Sequence, residues 1–259
     1  MKESLKSERT VKKMRKKQAE RTGKTKPDRM RKLLAIALMT VFIPTVIAIG
    51  VLQWQDRHYY IVSMIIILLA LLPFALVFER RRPKTRELVL IAVMTAIAVA
   101  GRAVFYMLPQ FKPVAAVVIV TGIAFGCEAG FATGALAMFA SNMLFGQGPW
   151  TPWQMFAMGI IGFISGFLFK NGIKTRLQHI MLCVVGALLT CVVYGVIVDT
   201  SSLFTIGNEV SLKALLAMYA SGIPFNVIHG ASTAFFLFVL ARPVLNKLKR
   251  IKLKYGLMQ

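Results

Sequence analysis

Phe145-Gly-Gln-Gly-Pro-Trp-Thr-Pro-Trp-Gln-Met155 interrupts an otherwise apolar half-chain. Gly146 and Gly148 free the backbone there, and Pro149 and Pro152 restrict it. Trp150 and Trp153 are large amphipathic side chains that favour a membrane–water boundary. Apolar segments flank the stretch on both sides, so it reads as the turn between two membrane helices. Two roles fit such a turn. It is either an interfacial loop with an aromatic belt or a loop that also closes over a bound solute.

Composition points the same way. The 259 residues are 57% hydrophobic and have a mean hydropathy of +0.66. A soluble domain of this size needs more polar surface. Several runs approach the roughly 20 apolar residues that span a bilayer. The basic N-terminus is too long for a typical signal-peptide n-region, and no A-x-A-like site follows 33–51, so the first span is expected to be retained.

The net charge of +22 is concentrated in four blocks. Residues 1–32 hold 14 Lys/Arg, 80–86 hold five, 170–176 hold three and 242–254 hold six, together 28 of the 32. Spans are read at 33–52, 61–78, 88–108, 114–125, 131–145, 154–169, 180–198 and 212–241. With these spans alternating, all four blocks fall on one side. The positive-inside rule then places both termini in the cytoplasm. Lys/Arg clusters also bind nucleic-acid phosphates, but a juxtamembrane tail held to anionic lipid explains the arm better, and no nucleic-acid partner is expected. The run 114–125 is short for a crossing at about 1.5 Å per residue. Gly126-Cys-Glu-Ala-Gly130 reads as an inner turn. Asp199–Ser211 reads as an outer loop.

Polar side chains at membrane depth seek partners or wet cavities. Arg102 lies near the outer end of 88–108 and could snorkel to the interface. Asn142 precedes the opening stretch, and Gln147 and Gln154 flank its tryptophans. Asn226, His229 and Thr233 share one helical face at i, i+3 and i+7. A lone helical His is usually structural, but its polar neighbours suit a pocket lining. Most of these groups fall in the outer half, which suggests an outward-facing pocket roofed by loops. Ala92, Ala96 and Ala100 recur every four residues, a spacing that permits close helix approach within the bundle or to a partner. Cys127, Cys183 and Cys191 are scattered, and no metal or cofactor is expected. Enzyme signatures such as Gly-x-Ser-x-Gly, His-Glu-x-x-His and the phosphate-binding Gly-x-x-x-x-Gly-Lys-Ser/Thr are absent. The chain therefore has no ATPase of its own, and no intramembrane carboxylate relay is visible.

Three stretches resemble the substrate-binding S component of an energy-coupling factor (ECF) vitamin transporter. They are Leu88-Val-Leu-Ile-Ala-Val-Met-Thr-Ala-Ile-Ala-Val-Ala-Gly-Arg102, Phe111-Lys-Pro-Val114 and Asn142 through Met155. Gly222-Ile-Pro-Phe-Asn-Val-Ile-His229 resembles the last helix of that group. The resemblance implies an all-α polytopic membrane protein with a six-helix S-component core at 88–241. A basic cytoplasmic arm at 1–32 and a two-helix N-terminal hairpin at 33–87 precede the core, and a basic cytoplasmic tail at 242–259 follows it. The hairpin and the arm depart from the usual six-helix form. The implied role is capture of a vitamin-like small molecule from outside the cell membrane, without covalent chemistry. Uptake would be driven by ATP through a transmembrane coupling subunit and two ABC ATPases.

In that family the small-residue face of the first core helix, here Ala92, Ala96 and Ala100, meets the coupling subunit. The solute lies beneath the outer loops, which makes Gln110, Asn142, Gln147, Trp150, Trp153, Gln154, Asn226 and His229 the candidate binding residues. The Trp-Thr-Pro-Trp-Gln pattern is most similar to members assigned to cobalamin or its precursors. Riboflavin, folate, thiamine, pantothenate and queuosine-type solutes stay open. A self-sufficient secondary transporter or channel is the alternative, but it would want inverted repeats or an ion-coupling carboxylate.

Overall fold

The computed structural model describes residues 85–206 and 211–255. The basic arm, the expected N-terminal hairpin up to residue 84, positions 207–210 of the expected last outer loop and the final four residues lie outside them. Among the described residues all regular structure is helical. The elements are α1 (Thr85–Val104), α2 (Val114–Phe125), α3 (Cys127–Phe145), α4 (Thr151–Leu168) and α5 (Arg176–Leu188). A π-helical segment (Leu189–Tyr194) then leads without a break into α6 (Gly195–Ile206), and α7 (Leu212–Tyr255) closes the chain.

Four stretches are long and apolar enough to cross a membrane: Glu87–Val104, Thr151–Leu168, Arg176–Leu203 and Leu212–Lys254. The shorter α2 is the centre of the bundle, with all but one of its twelve residues buried. It packs against α1, α3, α4 and α7. An apolar run with no polar face belongs where every side is covered. Only Gly126 separates α2 from α3, at a φ of 101° that glycine adopts without a Cβ penalty. The expected five-residue inner turn is thus a single residue.

Glycine also sets the closest helix contact. A Cβ on Gly162 of α4 would strike the carbonyl oxygen of Gly130 on α3, and one on Gly130 would strike that of Gly162. A Cβ on Gly122 of α2 would meet the Gly162 carbonyl as well. Three backbones therefore converge where no side chain fits, which is how helices pack in lipid without a hydrophobic driving force.

Two expected boundaries shift. Asp199 lies inside α6, not at the start of a loop. The polar run Thr200-Ser-Ser202 stays helical because its hydroxyls donate to the carbonyls of Val196 and Val198 one turn back. The last helix does not stop near Ala241 but continues through Pro243 to Tyr255. Val244, Leu245, Leu248 and Ile251 keep an inward row against the core, while Arg242, Lys247, Lys249 and Arg250 stay exposed. Lys252 Nζ donates to the Ala124 carbonyl at 3.3 Å and ties this end to the last turn of α2.

Candidate functional site

At the opposite end of the bundle, the last turns of α1 and α3 meet the first turn of α4. Arg102 Nη1 donates to Ser141 Oγ at 2.5 Å and to Asn142 Oδ1 at 2.8 Å. Asn142 Nδ2 donates in turn to Thr151 Oγ1 at 3.0 Å and to Gln154 Oε1 at 2.9 Å. Asn142 is only 1% exposed and Thr151 5%, so the centre of this chain of bonds is buried, while Arg102 and Gln154 at its ends are partly exposed. Thr151 Oγ1 also accepts from the Gly148 amide at 3.3 Å, which fastens the 146–150 loop over the network. The guanidinium of Arg102 lies 5.6 Å from the centre of the Phe145 ring, and Tyr106 stacks on that ring at 4.9 Å.

The loop between α1 and α2 turns its end inward. The Phe111 amide donates to the Pro109 carbonyl at 2.7 Å across Gln110, whose φ is +55°. That three-residue turn forces a side-chain-bearing residue into left-handed backbone. It sets Phe111 among Phe105, Phe235 and Phe236, with ring centres 5.4–6.3 Å away. Lys112 follows, half-buried, and its carbonyl accepts from Ser232 Oγ of α7 at 3.1 Å. Burial, and behind it the charge of Arg102, hold the Lys112 ammonium below the ordinary lysine range.

The π-helical segment supplies the facing wall. The extra residue per turn rotates Tyr194 inward, where its ring meets the edge of His229 at 4.9 Å and 87°. Both side chains are buried. Thr233 Oγ1 donates to the His229 carbonyl one turn back at 2.9 Å, so these two residues of the expected polar face of α7 are buried together. Arg102 lies within electrostatic reach of Tyr194 and Lys112, and Lys112 within reach of His229.

The structure therefore joins some of the expected site residues and separates others. Asn142 and Gln154 share one network, while His229 is buried against Tyr194. Trp153 is buried in the first turn of α4, at 6% exposure. Trp150 is 40% exposed, with its ring laid against Gly148, and Gln147 is exposed on the loop. Gln110 holds the tight turn. Asn226 points elsewhere, donating to Asp199 Oδ2 at 2.7 Å. That pair lines a groove of about 280 Å³ with Tyr219, Val192, Ile223 and Val227. The last three are more than half exposed, so the groove opens on the outer face of the bundle.

Sequence reading missed Ser141, Thr151, Lys112 and Tyr194 as site residues. It offered only the interface for Arg102, which could snorkel there. Lys112 carried a signal as the single cation of a short outer loop. Tyr194 carried none, because a π-helical rotation cannot be read from an apolar run.

The arrangement offers hydrogen bonds, ring faces and positive charge, which is equipment for binding. A family model described as "ECF-type riboflavin transporter, S component" matches residues 82–250. The chain belongs to this family. Comparisons with individual curated proteins and with solved structures give no match. The S component is a substrate-binding subunit of an ECF transporter, in a transporter family and not an enzyme family. Its apolar helices make it a multi-pass membrane protein.

Proposed function

We propose that this S component captures a vitamin at the outer end of its bundle, beneath the 146–150 loop, and delivers it inward with partner subunits. The observation that carries the reading is the chain Arg102–Asn142–Gln154, centred on the buried Asn142, beside that loop. Buried polar groups at membrane depth are costly unless they serve a site. The solute has ring faces and polar edges, matching the aromatic and amide groups around it. The family name favours a flavin as the first ligand to test, with cobalamin as the second.

The six-helix core crosses the membrane with both termini in the cytoplasm, in keeping with the basic blocks of the sequence. The 33–87 hairpin and the 1–32 arm are additions to that core. Ala92, Ala96 and Ala100 lie exposed on α1, a face smooth enough for a transmembrane coupling subunit. Two ABC ATPases bound to that subunit supply the energy.

The test is purification of the full chain from cells grown on rich medium, with mass spectrometry of the small molecule that co-purifies and titration with riboflavin and cobalamin. A bound vitamin, and co-isolation of a coupling subunit with ATPases, is the expected result. Ion-gradient-driven uptake by vesicles holding this chain alone would overturn the reading.

A further inference from the structure

We infer that the solute carries a negatively charged group, a carboxylate or a phosphate, that docks between Arg102 and Lys112. The inference rests on the binding role proposed above, but not on the solute being a flavin.

Two cations lie close together at this end of the bundle, since a Cβ on Gly101 would strike the ring of Pro113, and among the described residues no carboxylate accompanies them. Arg102 spends its hydrogen bonds on two neutral oxygens, Ser141 Oγ and Asn142 Oδ1. Lys112 is within electrostatic reach of Arg102 and of His229. The described carboxylates are Glu87, Glu128 and Asp199. Among the described residues none of them pairs with either cation. Glu87 and Glu128 sit in the first turns of α1 and α3, at the far end of the bundle, and Asp199 is bound to Asn226.

A cation near a helix end ordinarily extends its head into water. Arg102 does the reverse: it turns under the 146–150 loop onto a residue that is 1% exposed. Lys112 is half-buried in the neighbouring loop, its carbonyl held by Ser232 and the next residue, Pro113, packed against Gly101 beside Arg102. Like charges held together at a partly buried site repel, and an anion between them removes the repulsion. A guanidinium and an ammonium also match carboxylate and phosphate oxygens by hydrogen bonding.

Matched pairs that differ only in charge test the inference on the purified full chain at low salt. The pairs are riboflavin with riboflavin 5′-phosphate, pyridoxine with pyridoxine 5′-phosphate, and pantothenol with pantothenate. The anionic member should bind more tightly by about tenfold or more in the pair the protein accepts, the size of a charge-assisted bond. The accepted pair tells phosphate from carboxylate. Arg102→Gln and Lys112→Gln should each shrink the ratio towards one, and Arg102→Lys should restore part of it. Monodisperse elution and unchanged helical dichroism show that the variants are folded.

Equal or tighter binding of the neutral flavin overturns the inference and leaves the flavin reading intact. A charge preference that survives in both glutamine variants also overturns it. Failure of both flavins with an anionic preference in another pair removes the flavin and supports the anion. No anionic preference in any pair, including no binding at all, overturns it.

Discussion

Asn142 of α3 and Gln154 of α4 are joined side chain to side chain at 2.9 Å, while the other end of the Asn142 amide holds Arg102 at 2.8 Å. A single buried amide thus couples three helices. Asn142→Leu keeps the volume and removes every bond. Arg102 loses one of its acceptors, and Thr151 and Gln154 lose a donor. A buried group left unpaired costs about 1–3 kcal/mol, and the partly exposed Arg102 and Gln154 less. The variant should lose at least about 2 kcal/mol, a fall of roughly 4–8 °C in Tm. Thermal unfolding in detergent reads this, and an unchanged Tm would mean that the network contributes no stability.

The two tryptophans of the opening stretch should separate. Trp153 is buried and Trp150 lies on the loop at 40% exposure. Trp153→Ala removes a core side chain and should cost about 3–5 kcal/mol. Trp150→Ala should cost less than about 1 kcal/mol and should instead weaken solute binding, since its ring covers Gly148 on the loop above the network. Tm and ligand titration on each variant check this. Equal loss of stability in both would return Trp150 to the fold.

Gly162→Val should be among the most damaging changes in the bundle. Its Cβ would meet the Gly130 carbonyl, and backbone cannot step aside as a flexible side chain can. Overpacking of this kind costs about 1–3 kcal/mol or more. Expression and Tm are the readouts, and a Tm equal to that of the parent chain would refute the close approach of α3 and α4.

Ala96→Trp should spare solute binding and impair uptake. Ala92, Ala96 and Ala100 form an exposed face of α1 alongside Val93 and Ile97. A bulky ring there points away from the described core and would hold a coupling subunit at a distance. Binding by the purified variant and uptake in cells carrying the partner subunits are the two measurements. Normal uptake would free this face of the docking role.

The helical class was legible because long apolar runs with basic blocks between them admit few other readings. The glycines and prolines of 145–155 likewise marked a turn that α3 and α4 do flank. The site was half legible. Asn142 and Gln154 stood out as amides beside a turn, and they do meet. Asn226 and His229 share a helix face, yet they take different partners, Asp199 and Tyr194. Periodicity gives the face but not the neighbour. The length of α6 was misread because serine and threonine suggest loops, whereas in a helix they bond to their own preceding turn. Arg102 could be read toward the interface because reach alone does not tell which way a long side chain turns.

Lys112 gives the site a pH signature. Its surroundings are Arg102 on α1, Tyr194 on the π-helical segment and His229 on α7, with burial the largest influence and Arg102 next. The folded chain thus releases this proton at lower pH than the unfolded chain, whose lysines titrate near 10.4. Between the two midpoints the unfolded state binds more protons, so stability rises with pH there. Below the folded midpoint both states are charged and the cost of the buried ammonium is fully present. Lys112→Gln should remove this rise. Titration of the isotope-labelled dimethyl-lysine signal that is lost in Lys112→Gln should show a midpoint below the ordinary value. In Arg102→Gln it should move part of the way back. A bound anionic solute should raise it further than the neutral member of the same pair, because the added negative charge favours the ammonium. A midpoint at the ordinary lysine value in the free protein would show that Lys112 is fully solvated, and its place at the site would then be lost.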